Sequence, residues 1–460
     1  MRIKLKLTLL ISKCIIKLCR LFKLGGTSYA GELARKIYPP ILKELAKPYR
    51  IILVTGTNGK TTTTKIISVM LEKSNIKYIT NKSGANLVDG IATLFLEHTP
   101  MNLKNKETTA LIEIDEAALR RLADHITPDV LVVTNFFRDQ LDRFGELTNT
   151  VKVVKSMIEM FPDLTTVING DDSFSCYLVN GRNKDNILYY GISSDIQSTD
   201  VNTDNIDATY CIVCNSKYTY HSLSYGHLGN FECTNCGYKK PKLDIAVTKV
   251  TETDNHSDVE FTFDGKSYSS KINLPGLYNV YNSMAAMGLA KALSLPMENA
   301  INALESFEPG FGRMETIDAG DKKITMILVK NPNSFNQTIS YLSNQIKDLN
   351  VVFALSDKIA DGTDVSWIWD IDFEILANDT TELNNVYTCG TRGYDMAVRM
   401  KYAGVEENKI NSCNDFNSMI DAITTRLPAG SNIYILPTYT AMLEIRKLLK
   451  NKFNLKEIWQ

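Results

Sequence analysis

No stretch of about 20 uninterrupted apolar residues occurs in this 460-residue chain, so a membrane-spanning helix is not expected. Charge of one sign is missing too: 51 Lys and Arg meet 52 Asp and Glu, for a formal net charge of -1. A nucleic-acid binder would show a basic footprint, and the average charge gives none, so no nucleic-acid partner is expected. Histidine is scarce, with five in the chain, and none lies near Cys176, Cys389 or Cys413 in sequence. No Cys/His nucleophile constellation is therefore visible. The nine cysteines are odd in number. A disulfide scaffold is short and secreted, whereas this chain is long and shows no cleavable signal peptide, so reduced thiols and a cytoplasmic location are expected. Repeats and low-complexity segments are absent.

The composition that remains is that of a globular protein, 44% hydrophobic and 22% charged. The length exceeds one core and implies two or three domains. The first residues, "MRIKLKLTLLISKCIIKLCRLFKLGG", alternate basic and apolar character. Leu7, Leu10, Ile11, Cys14, Ile15, Leu18, Leu21 and Phe22 recur at helical spacing, with Lys4, Lys6, Lys13, Lys17, Arg20 and Lys23 on a basic face. This reads as an amphipathic helix in the plane of an anionic membrane surface, peripheral at its inner face, or as a surface helix docked on its own domain.

Strands alternating with helical patterns follow. Ile51 to Val54, Ala110 to Ile114, "PDVLVVTNFF" and "TTVINGDD" read as buried strands, which predicts βαβ units and a parallel sheet covered on both faces. Residues 201–243 are polar, Tyr-, Asn- and Cys-rich and without helical period, and β-hairpins are predicted after them. "YNVYNSMAAMGLAKAL" reads as a helix. "FEPGFGRME" is a Pro/Gly junction, beyond which "KITMILV", "LNVVFAL", "NNVYTCG" and "SNIYILP" predict a second α/β sheet.

"TGTNGKTTTT", residues 55–64, follows a strand and opens a helix. Backbone N–H groups at such a helix start bind phosphate. Gly56 and Gly59 permit a tight turn and close approach, Lys60 can reach the β- and γ-phosphates, and the hydroxyl of Thr61 or Thr62 can ligate Mg²⁺. The usual phosphate loop has a glycine at the position of Val54.

These residues resemble the ATP loop of the Mur ligases, whose loop is shortened in this way. The resemblance implies ATP and Mg²⁺ as cofactors, with Gly56, Thr57, Asn58, Gly59, Lys60, Thr61 and Thr62 around the phosphates. It continues through "TALIEIDEA", where Glu113 takes the place of a Mg²⁺-binding glutamate, and "TNFFRDQLDRFGE", similar to an N-x-x-x-D-H-x-D segment but with Gln140 in place of the histidine. "INGDD" resembles a family turn. "LPGLYNVYNSMAA" carries Asn279 and Asn282 of the adenine-side motif, and "GRME" carries Arg313 as a nucleotide contact. Lys155 lies fifteen residues after Gln140, where many Mur ligases have a carbamylated lysine; a solvated helix lysine is the other reading. "ILVKNPNSF" stands where the family has Asp-Tyr-Ala-His-x-Pro, so the last domain is not expected to bind an incoming amino acid in the standard way. The loop begins at residue 55, leaving no room ahead of it for a UDP-binding domain, so a substrate other than a soluble UDP-linked one is expected.

Cys211-x2-Cys214 and Cys233-x2-Cys236, eighteen residues apart, have zinc-ribbon spacing. Four thiolates with no open position make a structural Zn²⁺ site. In "VVFALSDKIADGTDVSWIWD" a strand ends at Leu355 and a loop with Asp357, Asp361 and Asp364 follows. A shortened Mur ligase with an inserted four-cysteine ribbon and this terminal segment resembles the MurT branch of the family, synthetase subunits of lipid II isoglutaminyl synthases. That resemblance implies a GatD-like glutaminase as partner in a heterodimer and lipid II at the membrane surface as substrate. The reaction it implies is ATP-dependent amidation of the α-carboxylate of D-glutamate through an acyl phosphate. It further implies an Asp lent to the glutaminase's Cys-His pair, with Asp357 the best match and Asp361 the second. Catalytic roles thus fall to Asp357, Lys60 and Glu113, and Mg²⁺ ligation to Thr61 and Glu113. The alternative is a folylpolyglutamate-type amino-acid ligase, against which the ribbon and the degraded "KNPNSF" motif stand. The expected division is an N-terminal helical segment at 1–48, a Mur-ligase-like central ATPase domain at 49–308 with the ribbon inserted at 205–242, and a C-terminal α/β domain at 309–460.

Overall fold

The computed structural model describes residues 2–21, 28–81, 85–103, 108–139, 147–200, 206–253, 255–308, 313–345, 347–378, 380–453 and 455. Seventeen strands lie among them. In chain order they are β1 (Tyr49–Thr55), β2 (Tyr78–Thr80), β3 (Thr108–Glu113), β4 (Val130–Val133), β5 (Thr165–Asn169), β6 (Ile187–Ile192), β7 (Thr219–Tyr225), β8 (Leu228–Glu232), β9 (Ile245–Glu252), β10 (Ser257–Phe263), β11 (Lys266–Ile272), β12 (Arg313–Asp318), β13 (Lys323–Ile327), β14 (Leu349–Ala354), β15 (Leu383–Cys389), β16 (Ile410–Ser412) and β17 (Asn432–Pro437).

Nine strands form one sheet in the order β11-β10-β9-β6-β5-β4-β1-β3-β2. From β6 to β2 every pairing is parallel, while β9-β10-β11 is an antiparallel meander on one edge. β1 shows why its sequence is continuously apolar. Ile51 and Leu53 join the core on one face, and Ile52 and Val54 the core on the other. A parallel strand covered on both faces has no polar side. The meander alternates instead: in β10, Val259 and Phe261 are buried while Asp258 and Glu260 are exposed.

A second sheet has the order β12-β13-β17-β14-β15-β16. β14 repeats the two-sided logic, with Val351 and Phe353 facing one core and Val352 and Ala354 the other. Between β6 and β9 the chain leaves the large sheet. The polar segment read as an inserted ribbon contains a two-stranded antiparallel hairpin, β7-β8.

The N-terminal helix, Arg2–Leu21, packs on the helices Tyr29–Ile37 and Val88–His98. It docks through Leu5, Thr8, Leu9 and Ser12, which are buried, and not through the apolar stripe expected from sequence. Thr8 and Ser12 donate their hydroxyls to the carbonyls of Lys4 and Thr8, so their burial leaves no donor unmet.

Candidate active site

β1 is the switch point of the large sheet. The chain runs from it toward β2 and β3 on one side, and β4 and β5 lie on the other. Open α/β sheets form their ligand crevice at the carboxyl ends of such strands. Residues 56–60 follow β1 there, and Thr134 and Asn135 follow β4.

Two glycines in the loop have no substitute. Gly56 has φ +123°, and a Cβ there would meet Thr134 Oγ1 at 2.3 Å. Gly59 has φ +83°, and a Cβ there would meet Asn282 Oδ1 at 1.9 Å. Thr134 and Asn135 then fasten the loop. Thr57 N donates to Asn135 O at 2.8 Å, Asn58 N to Asn135 Oδ1 at 3.0 Å, and Thr134 Oγ1 to Asn58 O at 2.6 Å. The helix Lys60–Lys73 starts directly after Gly59, as the sequence pattern implies.

Lys60 folds back over the loop. Its ammonium donates to the Gly56 carbonyl, to Thr57 O at 3.3 Å and to Glu116 Oε2 at 3.0 Å. Burial pulls Lys60 toward its neutral form, but Glu116, Asp115 and Glu113 outweigh it, and its pKa is raised. Burial pushes Glu116 up, but Lys60 and then Lys330 win, and its pKa is lowered. Burial raises Asp115. Glu116 is placed by helix capping: Asp115 accepts from Ala117 N at 3.0 Å, which makes Glu116 the first residue of the helix Glu116–Ala123.

Glu113 closes β3 in register with Val54, which sets it beside the start of the loop. Its main chain is clamped by the Asn81 side chain, with bonds of 2.7 and 3.0 Å. Thr61 and Thr62 occupy the first turn of the loop's helix, where Thr61 is half-buried and Thr62 lines the adjoining pocket. Carboxylate and hydroxyl oxygens are the hard donors Mg²⁺ takes, so this set fits the ion. Asp139 Oδ1 is buried and without a hydrogen-bond donor.

A pocket opens between Asn58, Gly59 and Thr62, the asparagines Asn279 and Asn282 of the helix Leu277–Ala292, and a C-terminal wall with Met314, Ile327 and Lys330. Tyr225, Tyr278 and Phe307 give it aromatic surface. The structure thus brings Asn279 and Asn282 to the loop. Arg313 begins β12, and its side chain lies outside the described residues, as does Gln140. Lys155 is turned elsewhere: it donates to Asn180 O at 3.1 Å and pairs with Glu159 at 3.3 Å.

Three contributors went unread in the sequence. Glu116 pairs with Lys60. Asn135 holds the loop, and it is the first position of the N-x-x-x-D pattern. Lys330 belongs to "KNPNSF", which departs from the family motif, yet it reaches across from the C-terminal unit to pair with Asp139 and donate to Thr57 O at 3.1 Å. Its neighbour Asn331 donates to Asn58 Oδ1 at 3.0 Å.

The four ribbon cysteines place their sulfurs within 4.8 Å of one another, with Cys211–Cys236 at 3.7 Å and Cys214–Cys233 at 3.4 Å. Sulfurs on a tetrahedral Zn²⁺ at about 2.3 Å would stand about 3.8 Å apart. The two knuckles match: Asn215 N bonds Cys211 O and Gly237 N bonds Cys233 O, each at 2.8 Å, with φ of 61° and 73°. The set is compatible with zinc.

In the second sheet, Asp357 follows β14 at the surface. Its Oδ1 accepts from Thr391 Oγ1 at 2.7 Å, and Arg392 lies 3.4 Å from Oδ2. The Thr391 bond, aided by Arg392, holds its pKa below the usual carboxylate value. Asp361 is buried and accepts from Thr440 N at 2.8 Å and from the Thr440 hydroxyl, fastening the start of the helix Tyr439–Phe453.

Comparison with known proteins gives the family and the fold. The model of the Mur ligase middle domain matches residues 54–237 and 204–290, and that of the MurT ligase C-terminal region matches 328–442. Subunit MurT of lipid II isoglutaminyl synthase (glutamine-hydrolyzing) from Streptococcus pneumoniae is 36% identical over 94% of each chain. Its counterpart in Staphylococcus aureus is 32% identical over 96% of this chain and 97% of its own. Among solved structures, MurF from Acinetobacter baumannii superposes with a TM-score of 0.65 at 16% identity, covering 92% of this chain and 80% of that one. A pseudomurein peptide ligase type C from Methanothermus fervidus gives 0.63 at 20%, covering 88% and 79%. These structures share the fold. On the strength of the near-full-length identity to both MurT relatives, the chain belongs to the MurT family, built on the Mur ligase fold.

Proposed function

We infer that this chain is the ATP-dependent synthetase subunit of a lipid II isoglutaminyl synthase in peptidoglycan biosynthesis, working at the inner face of the membrane where a lipid-linked acceptor is displayed. The observation that carries the reading is the junction at the phosphate loop, where Lys60 and Glu116 lie on one side and Lys330 and Asn331 of the C-terminal unit close on Thr57 and Asn58 from the other. A ligase that must exclude water from an activated carboxylate needs such a two-sided site.

ATP binds with its phosphates over Gly56, Thr57, Asn58 and Gly59 and its base beside Asn279, Asn282 and the aromatic wall. Asn58 Nδ2, buried and without an acceptor, is free to meet a phosphate oxygen. Glu113 and Thr61 would hold Mg²⁺, which would supply charge neutralisation at the transferring phosphoryl group. The α-carboxylate of the D-glutamyl residue attacks the γ-phosphorus, the bond to ADP breaks, and an acyl phosphate forms. Lys60 and Lys330 offset the charge that develops, which is most of what phosphoryl transfer asks of a protein. Arg313 is assigned to the nucleotide. Ammonia then attacks the acyl carbon, phosphate leaves, and the amide of D-isoglutamine remains.

Ammonia comes from a GatD-like glutaminase bound to the C-terminal unit. Asp357, half-buried at the surface and held ionised, orients the partner's catalytic histidine as the acid of a triad does. The thiolates of Cys211, Cys214, Cys233 and Cys236 would hold a structural Zn²⁺. The test is amidation of lipid II by the co-expressed pair with ATP and glutamine, followed by product mass. Conversion of acid to amide is expected. Addition of an amino-acid residue would establish the folylpolyglutamate-type alternative instead.

A further inference from the structure

The helix Arg2–Leu21 is docked on the protein by one face, and its other face has no protein against it among the described residues. Ile3 is 85% exposed, Leu7 56%, Leu18 53% and Leu21 75%, and Leu10, Ile11 and Cys14 are also exposed. At 3.6 residues per turn these positions fall within an arc of about 100°, opposite the arc of the buried Leu5, Leu9 and Ser12. Lys4, Lys6 and Lys17 are exposed at the margins of that arc, and the helix RIKLKLTLLISKCIIKLCRL contains no acidic residue.

We propose that this face lies in the plane of an anionic bilayer, with the exposed leucines and isoleucines below the headgroups and the lysines level with them. Charge selects this occupant over a second copy. Two such helices face to face would juxtapose like charges, whereas anionic headgroups complement the lysines, whose stems lie along apolar surface while the ammonium groups reach the headgroups. No helix among the described residues is long and apolar enough to cross a membrane, so association is in-plane. The helix is tied to its neighbour: Lys13 Nζ donates to Glu97 O at 2.9 Å, joining it to the helix Val88–His98. A fixed in-plane helix would set the ATP pocket at a constant height over a lipid-linked acceptor. That purpose rests on the proposed function; the binding does not.

The experiment is flotation of the full chain, co-purified with its glutaminase, on vesicles of phosphatidylglycerol and phosphatidylcholine or of phosphatidylcholine alone. Wild type is expected to float with the anionic vesicles. Leu7→Gln/Leu10→Gln/Leu18→Gln, all at exposed positions, should weaken binding at least about tenfold with an unchanged melting temperature. Lys4→Gln/Lys6→Gln/Lys17→Gln should abolish the preference for anionic lipid. Absence of wild-type flotation, or equal flotation of the leucine variant, overturns the proposal. So does a wild-type dimer that the leucine variant dissociates, or loss of the glutaminase from that variant, since a second copy or the partner would then be the occupant. Amidation of a short-chain, soluble acceptor should be unchanged in the leucine variant. If wild type floats but amidates neither acceptor, the proposed function fails and the membrane face stands.

Discussion

Lys60 Nζ and Glu116 Oε2 stand 3.0 Å apart beneath the phosphate loop, with side chains 11% and 12% exposed. Lys60→Ala should lower amidation about 10²–10³-fold, the scale for a lost charge stabiliser. The loss should be equal with glutamine or free ammonia as donor, because the step lies before ammonia enters. Glu116→Gln leaves the ammonium its bonds to Gly56 and Thr57 and should cost about 1–3 kcal/mol of stability, less than a fully uncompensated buried charge. Steady-state rates with ammonium salts and thermal melts check both.

Lys330 makes the same kind of claim from the other side of the cleft. Lys330→Met should reduce kcat about 10²-fold and leave the fold of each unit intact. Its pairing with Asp139 predicts non-additivity. In a double-mutant cycle with Asp139→Asn, coupling of about 1–3 kcal/mol in the transition-state free energy is expected. Strict additivity would show that the ion pair has no part in turnover.

The pair also shows what the sequence could and could not display. β1, β3, β4 and β14 were legible because strands covered on both faces are continuous apolar runs. β6, "ILYYGI", and β12, "RMETID", mix tyrosine and polar residues and were not read. Gly56, Gly59 and the four cysteines were legible because their roles depend on local spacing. Glu116 and Lys330 were not, because their partners lie 56 and 191 residues away in sequence. The N-terminal helix falls between these cases. Its period was plain, but apolar residues occupy two opposite faces, and only packing chose Leu5 and Leu9 over Leu7 and Leu18 for the core.

Asp357 and Asp361 are separable by experiment. Asp357→Asn should spare ammonia-driven amidation and depress glutamine-driven amidation, since its proposed role lies in the partner's chemistry. A glutamine-driven rate equal to wild type would remove Asp357 from that role. Asp361 instead bears on stability. Burial, opposed by the Thr440 bonds, raises its pKa above the usual 3.8, so the folded state holds the proton more tightly than the unfolded chain. Its contribution is then lost as pH rises from the unfolded value through the folded one. Thr440→Val removes a bond to the ionised form, so its cost, about 1–3 kcal/mol, should be larger at pH 7 than near pH 3.5. Urea melts at the two pH values measure it.

Zinc removal should act on the nucleotide as well as on stability. β7 ends at the hairpin tip in Tyr225, which lines the pocket and stacks on Phe137 at 6.0 Å between ring centroids. Gly226 is packed so closely on Phe137 that a Cβ would meet its ring at 2.8 Å. His227, fully buried, lies 3.1 Å from Asp172, and Asp172 in turn accepts from Phe136 N at 2.9 Å. The four cysteines close the opposite end of the same hairpin. In small cysteine knuckles metal binding supplies much of the folding free energy. Cys236→Ser, or chelation, should therefore release one zinc per chain, lower the melting temperature and raise the KM for ATP more than it lowers kcat, because a pocket wall is loosened while Lys60 and Lys330 stay in place. Metal analysis of the purified chain, with ATP titrations before and after chelation, decides the matter. A zinc-free chain that melts earlier but keeps its KM would show that Asp172 and Phe137 hold the hairpin tip without help from the knuckles.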